Sequence, residues 1–247
     1  MIFTIAAKEL RSLFGSPLAW IILAVLELIM AYLFLSEIDR FLEVQPQLTQ
    51  LAAPPGITEI IVAPLFASAS IVLLMVVPML SMRLIAEERR NRTLSLLFSA
   101  PVSMSEIVLG KFLGLLFFLS VVVGLSALMA LSLLLGGKLD LGLLATNLAG
   151  ITLLCASFAA LGLYISSLTA QPVVAAIGTL GALLGLWVIN LTGSDPNSAL
   201  GYLSLLKHFE SFNRGLLNTT DLAYYALFIT TFLVLAVRRL DQDRLRG

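Results

Sequence analysis

Charged side chains that could do chemistry gather between two long apolar segments. From Arg83 to Pro101 the chain reads Arg-Leu-Ile-Ala-Glu-Glu-Arg-Arg-Asn-Arg-Thr-Leu-Ser-Leu-Leu-Phe-Ser-Ala-Pro, a dense run of charge in a largely apolar sequence. Arg83, Glu87, Glu88, Arg89, Arg90 and Arg92 offer ion-pair chemistry, and Thr93, Leu94, Leu97 and Phe98 add an apolar face at helical spacing. That pattern suits docking against another protein rather than catalysis. The plain alternative is a solvated, positively charged loop. A loop has no need of an apolar face, so the Thr-Leu-x-Leu-Leu pattern and the following Pro101 favour a docking helix over 83–100.

Other chemistry is sparse. His208 is the only histidine and Cys155 the only cysteine, which excludes H-E-x-x-H metalloprotease sites, His-rich metal sites and an internal disulfide. There is no G-x-x-x-x-G-K-[ST] phosphate loop and no G-x-S-x-G elbow, so the chain carries no motif for splitting ATP or for hydrolysis. No metal set and no catalytic residue is expected. His208 itself reads as part of the polar face of a helix. Glu27 lies in the middle of an apolar segment, where a carboxylate is costly. It is either a polar point on a pathway or subunit interface, or a protonated or hydrogen-bonded group buried inside one subunit; the sequence leaves both open.

The elements that would position these residues are membrane spans. The chain is 59% hydrophobic and 12% charged, with a mean hydropathy of +1.01, against about 25% charge in soluble domains. An all-α integral membrane fold follows, because backbone groups in lipid must be satisfied within helices. Six apolar segments stand out, at about 18–36, 59–82, 106–135, 142–168, 171–192 and 222–238. The first is long enough to span and lacks a cleavage site behind it, so it reads as a retained span rather than a secretory signal. The third would be about 45 Å long, so it starts outside the hydrocarbon near Glu106 and Lys111, or tilts. Pro172 suits the first turn of the fifth. The outer loop 38–58, with Pro46, Pro54, Pro55 and Gly56, reads as irregular.

Two amphipathic helices flank the spans. Residues 1–14 place Ile2, Phe3, Ile5, Leu10 and Leu13 against Lys8, Glu9 and Arg11, as in a helix lying at the interface, and Gly15-Ser-Pro17 ends it. Residues 199–217 repeat apolar residues, Phe209 and Phe212 among them, every three to four positions, with His208 and Arg214 between; this is an outer amphipathic or re-entrant helix. On the fifth span, Gly178, Gly181, Ala182 and Gly185 form a face of small residues with a G-x-x-x-G pair. It is either a dimer seam, which is preferred, or packing within one subunit. With the N-terminus inside, Lys8, Arg11, Arg83, Arg89, Arg90, Arg92, Arg238, Arg239, Arg244 and Arg246 fall on the cytoplasmic side, against Arg40, Lys138, Lys207 and Arg214 outside. Both termini are then cytoplasmic. Zero net charge gives no reason to expect nucleic acid.

Three blocks together carry a family resemblance. Glu88-Arg-Arg-Asn-Arg-Thr-Leu-Ser-Leu-Leu97 with Pro101 and Gly110-Lys111 resembles the core of the ABC-2 class of ABC transporter permeases. Lys8-Glu-Leu-Arg-Ser-Leu-Phe-Gly-Ser-Pro-Leu-Ala19, and His208-Phe-Glu-Ser-Phe-Asn-Arg-Gly215 with Asp221 and Tyr224-Tyr225, resemble the gliding-motility-associated permease subfamily. Arg92 stands where the family often has Gly, and Ser95 where it often has Glu. The resemblance implies one permease transmembrane domain over 1–247, in a type V exporter-like fold. Residues 83–100 would be the coupling helix, with a minor second contact at 167–171. It implies a second permease copy meeting near the fifth span, and two copies of a cytoplasmic ABC ATPase holding the ATP and Mg, with no cofactor in this chain. An auxiliary protein with an extracytoplasmic domain and membrane lipid complete the expected surroundings, in a bacterial inner membrane. Two functions remain: an exporter-like permease for an unidentified substrate, or a non-transporting scaffold that transmits ATPase-driven movement within a cell-envelope complex. A channel or proton-coupled carrier is weaker, for want of ionisable residues in the spans.

Overall fold

A computed structural model describes residues 1–48, 55–94, 102–136, 139–192 and 203–246. Among these the chain is helical throughout: α1 (Ile2–Gly15), α2 (Pro17–Leu48), a π-turn (Thr58–Val62) running into α3 (Ala63–Ser81), the short α4 (Ala86–Arg90), α5 (Met104–Ser132) with a 3₁₀ turn (Leu133–Leu135), α6 (Leu141–Leu168), α7 (Pro172–Thr192), α8 (Leu205–Asn213) and α9 (Thr219–Arg246). Six helical stretches are long and apolar enough to cross a membrane, and they coincide with the six expected segments.

The ends of two spans differ from expectation. Helix α2 continues to Leu48 through Pro46, so the start of the supposed irregular outer loop is helix. Ile38 and Phe41 still pack on the core, and Glu37 pairs with Arg40 one turn on. Hydropathy falls at Ser36, but neither helix propensity nor packing does; its 32 residues make about 48 Å, well beyond a ~30 Å hydrocarbon core. Helix α9 likewise runs on to Arg246 rather than ending near 238. Its charged end has partners, described below.

Helix α6 is the centre of the bundle. Most of its length is buried, including Leu154, Ala159, Ala160 and Leu163, and α3, α5, α7, α8 and α9 all pack on it. Two glycines let neighbours in close. A Cβ on Gly162 would lie 2.2 Å from Ser81 Oγ, and one on Gly150 would lie 2.5 Å from Phe212 Cβ. Such close approach is what holds helices together in lipid, where burial of apolar surface gives no drive.

Helix α1 is seated on α5 rather than merely resting at its edge. Ala6 and Leu13 are buried, and a Cβ on Gly110 or Gly114 would lie 2.6 Å from Ile5 Cβ or 2.7 Å from Glu9 Cβ. Gly110-x-x-x-Gly114 is thus a groove for α1. The rings of Phe14 and Phe118 close its far end at 5.2 Å.

A charged junction at one end of the bundle

Helix α4 is positioned by the spans around it. Its first amides lack intrahelical partners, as at any helix N-terminus. Ser166 of α6, fully buried, supplies them: its Oγ accepts from Ile85 N at 3.2 Å and Ala86 N at 3.0 Å, and donates to Met82 O at 2.9 Å. One hydroxyl therefore links the end of α3, the start of α4 and the end of α6. The expected single helix over 83–100 is interrupted. A turn covers Met82–Ile85, α4 has five residues, and a second turn follows at Asn91 and Arg92. Arg92 takes φ 56°, a left-handed conformation that costs a residue with a Cβ about 1–2 kcal/mol. That cost explains why glycine suits this position.

The charges on α4 divide into two sets. Glu88 and Arg89 turn toward the bundle. Lys111 of α5 is 1% exposed, and its Nζ donates to Glu9 Oε1 at 2.7 Å and Glu88 Oε1 at 2.8 Å. Lys8 Nζ approaches the same Glu88 oxygen at 4.0 Å. Arg89 donates to Ser167 O at 2.8 Å and to the carboxylate of Asp243 on α9, which Arg239 also approaches at 3.6 Å. Arg90, Asn91, Arg92 and Thr93 are exposed, Arg83 and Glu87 are partly buried, and Leu94 is buried. Leu97 and Phe98 lie outside the described residues.

The junction therefore gathers α1, α3, α4, α5, α6 and the end of α9 on one face of the bundle. Both ends of the chain are there. Sequence reasoning missed Glu9, Lys111, Ser166 and Asp243 as parts of it. A signal existed for Lys111: an ammonium inside an apolar segment requires buried partners.

At the opposite end, α8 is held by the α9 N-terminus. His208 is 8% exposed rather than part of a polar surface. Its Nδ1 lies 2.6 Å from Asp221 Oδ1, and its ring stacks on Tyr224 at 4.0 Å. Tyr225 donates to Leu205 O at 2.8 Å. Phe209 and Phe212 are buried against α6, whereas Arg214 is exposed near Glu210.

On α7, Gly181 and Gly185 are exposed, and a Cβ on either would meet nothing within 4 Å among the described residues; Gly178 lies near Ile165, and Ala182 is half-buried. Glu27 is half-buried, and neither carboxyl oxygen has a hydrogen-bond partner among the described residues.

The family model described as ABC-2 family transporter protein matches residues 3–245. No curated protein matches the chain.

Proposed function

The chain belongs to the ABC-2 family of transporter proteins, a multi-pass membrane component distinct from the ATPase, and from that premise we propose that it is an exporter-like permease half worked by a separate ABC ATPase. The observation that carries this reading is the mounting of α4. A five-residue helix could not stand alone, yet this one is capped by Ser166 and tied to α1, α5 and α9 through Glu88 and Arg89. A push on its exposed residues would reach four other elements through these bonds.

In this reading the face bearing α1, α4 and both chain ends is cytoplasmic, in a bacterial inner membrane. Two ATPase subunits carrying ATP and Mg contact Arg90, Arg92 and Thr93, with Arg83, Glu87, Leu94, Leu97 and Phe98 in support, while Glu88 and Arg89 transmit rather than touch. A second permease copy packs along Gly178, Gly181, Ala182 and Gly185. The gliding-motility subfamily and an extracytoplasmic partner belong to the same proposal. One observation favours the alternative of a non-transporting scaffold. Among the described residues, the apolar cavity between α2, α3, α5 and α6 is about 10 Å³, too small to hold a substrate.

Co-reconstitution with an ABC ATPase from the same source tests the proposal. The permease should raise ATP hydrolysis, and Arg90→Glu should abolish the rise. An ATPase that neither binds nor responds would refute it.

A further inference from the structure

Beside the junction is a cavity of about 310 Å³, bounded by α1, the first turn of α2, the last turn of α3 and α4. That is the lower end of the range of about 300–1,000 Å³ for ligand pockets. Its lining is mixed. Leu18, Ala19, Met79 and Leu80, where the spans begin and end, make its apolar side chains; Lys8, Arg83, Glu87 and Glu88 are among its charged ones. Met79 is 45% exposed, so the apolar side opens outward. Trp20, next to Ala19, is exposed and donates from Nε1 to Phe14 O at 2.7 Å. An indole anchored there belongs at headgroup level.

The charges around the cavity balance. Lys8, Arg83 and Lys111 face Glu9, Glu87 and Glu88. Lys111 is engaged by Glu9 and Glu88; Lys8 approaches Glu88 at 4.0 Å but keeps its side chain exposed, so Lys8 and Arg83 are the cations a ligand can reach. Arg83 makes one hydrogen bond among the described residues, from Nη1 to Ser16 Oγ at 3.3 Å, and its planar fork suits a phosphate. Glu87 makes no ion pair among the described residues, and Glu88 Oε2 is buried without a hydrogen-bond partner there. A ligand that satisfies both sets carries a phosphate and an ammonium close together on an apolar tail.

We propose that this cavity binds a phospholipid with a phosphoethanolamine headgroup, from the leaflet on the side of α1. The phosphate sits on Arg83 and Lys8, the ammonium on Glu87 and Glu88, and the first acyl carbons lie along Leu18 and Met79. A purely anionic headgroup would bring no partner for the carboxylates. A trimethylated amine would bring charge without N–H donors. The inference is independent of what the protein transports; it gives Arg83 and Glu87 to the lipid and leaves the exposed Arg90, Arg92 and Thr93 to the ATPase.

The test is native mass spectrometry of the full-length protein released from nanodiscs of equal parts phosphatidylethanolamine, phosphatidylglycerol and phosphatidylcholine. Charge-assisted bonds of the expected strength give about a tenfold preference for phosphatidylethanolamine. Glu87→Gln should remove the preference over phosphatidylcholine, and Arg83→Ala should remove retention of all three. The headgroup comparison on the unaltered protein stands even where a variant folds poorly. Equal retention of the three lipids overturns the proposal. So does displacement of the lipid by an ABC ATPase that crosslinks to a cysteine at Ser12, which would make the cavity a protein-docking pocket.

Discussion

Lys111 and Glu88 lie 2.8 Å apart, and that contact fixes α4 to the middle of the junction from below. Removing one partner of a buried ion pair costs about 3–5 kcal/mol, because it strands the other charge, whereas removing the whole set can be close to neutral. Lys111→Met should therefore lower thermal stability in detergent sharply, and adding Glu9→Gln and Glu88→Gln should restore much of it. If the triple variant is no better than Lys111→Met, the carboxylates are not what the lysine neutralises.

The two G-x-x-x-G pairs should behave oppositely. Gly114→Leu would drive a side chain into Glu9 and the Ala6 backbone, so α1 should detach and the protein lose stability as a monomer. A Cβ at Gly181 would meet nothing within 4 Å among the described residues, so with Gly181→Leu monomer stability should hold while dimerisation weakens. Single cysteines along 175–189 should crosslink between copies with helical periodicity. Crosslinking confined to α2 instead would move the seam.

These glycines also show what the sequence could and could not disclose. The six spans, α1 and the start of α7 at Pro172 were legible, because hydropathy and proline report directly on lipid and on helix starts. The motif Gly181-x-x-x-Gly185 was as visible as Gly110-x-x-x-Gly114, but a motif does not say which helix it receives. The inward turn of Glu88 and Arg89 was invisible for a similar reason: their partners Lys111, Asp243 and Ser167 are 23, 154 and 78 residues away. The pairing of His208 with Asp221 was hidden by its lone-histidine appearance, although thirteen residues and a turn bring them together. The helical ends of α2 and α9 were missed because a fall in hydropathy marks the end of a span, not of a helix.

Arg92 should be replaceable with profit. Its φ of 56° suits glycine, and Arg92→Gly should relieve part of the ~1–2 kcal/mol cost of the left-handed conformation. Thermal unfolding should rise by a small but measurable amount. A fall would mean that contacts of the arginine side chain outweigh the backbone.

Ser166→Ala should loosen α4 without unfolding the spans. It withdraws the acceptor from Ile85 N and Ala86 N, two buried amides, at a cost of about 1–3 kcal/mol. Hydrogen exchange should accelerate at residues 85–87 and remain slow in the middle of α6. Uniform protection in both would show that another group caps the helix.

Arg89 and Arg90 are neighbours in sequence and opposite in role, and this gives the sharpest test of the docking face. Arg89 is half-buried and engaged by Ser167 O and Asp243; Arg90 is exposed. Reversing Arg89 would place a carboxylate against Asp243 in a poorly solvated site, so Arg89→Glu should reduce folded yield before any question of partners arises. Asp243→Arg added to it should recover stability by exchanging the pair. Arg90 makes no ion pair or side-chain hydrogen bond among the described residues, so Arg90→Glu should melt like the unaltered protein. Its effect should appear only with the ATPase present, as reduced recovery in a pull-down and lost stimulation of ATP hydrolysis, both weakening further with salt as exposed charge pairs do. Equal ATPase recovery by unaltered protein and Arg90→Glu, with stimulation intact, would remove α4 from the docking surface. A stability loss at Arg90 with none at Arg89 would reverse the division of the junction into inner and outer charges.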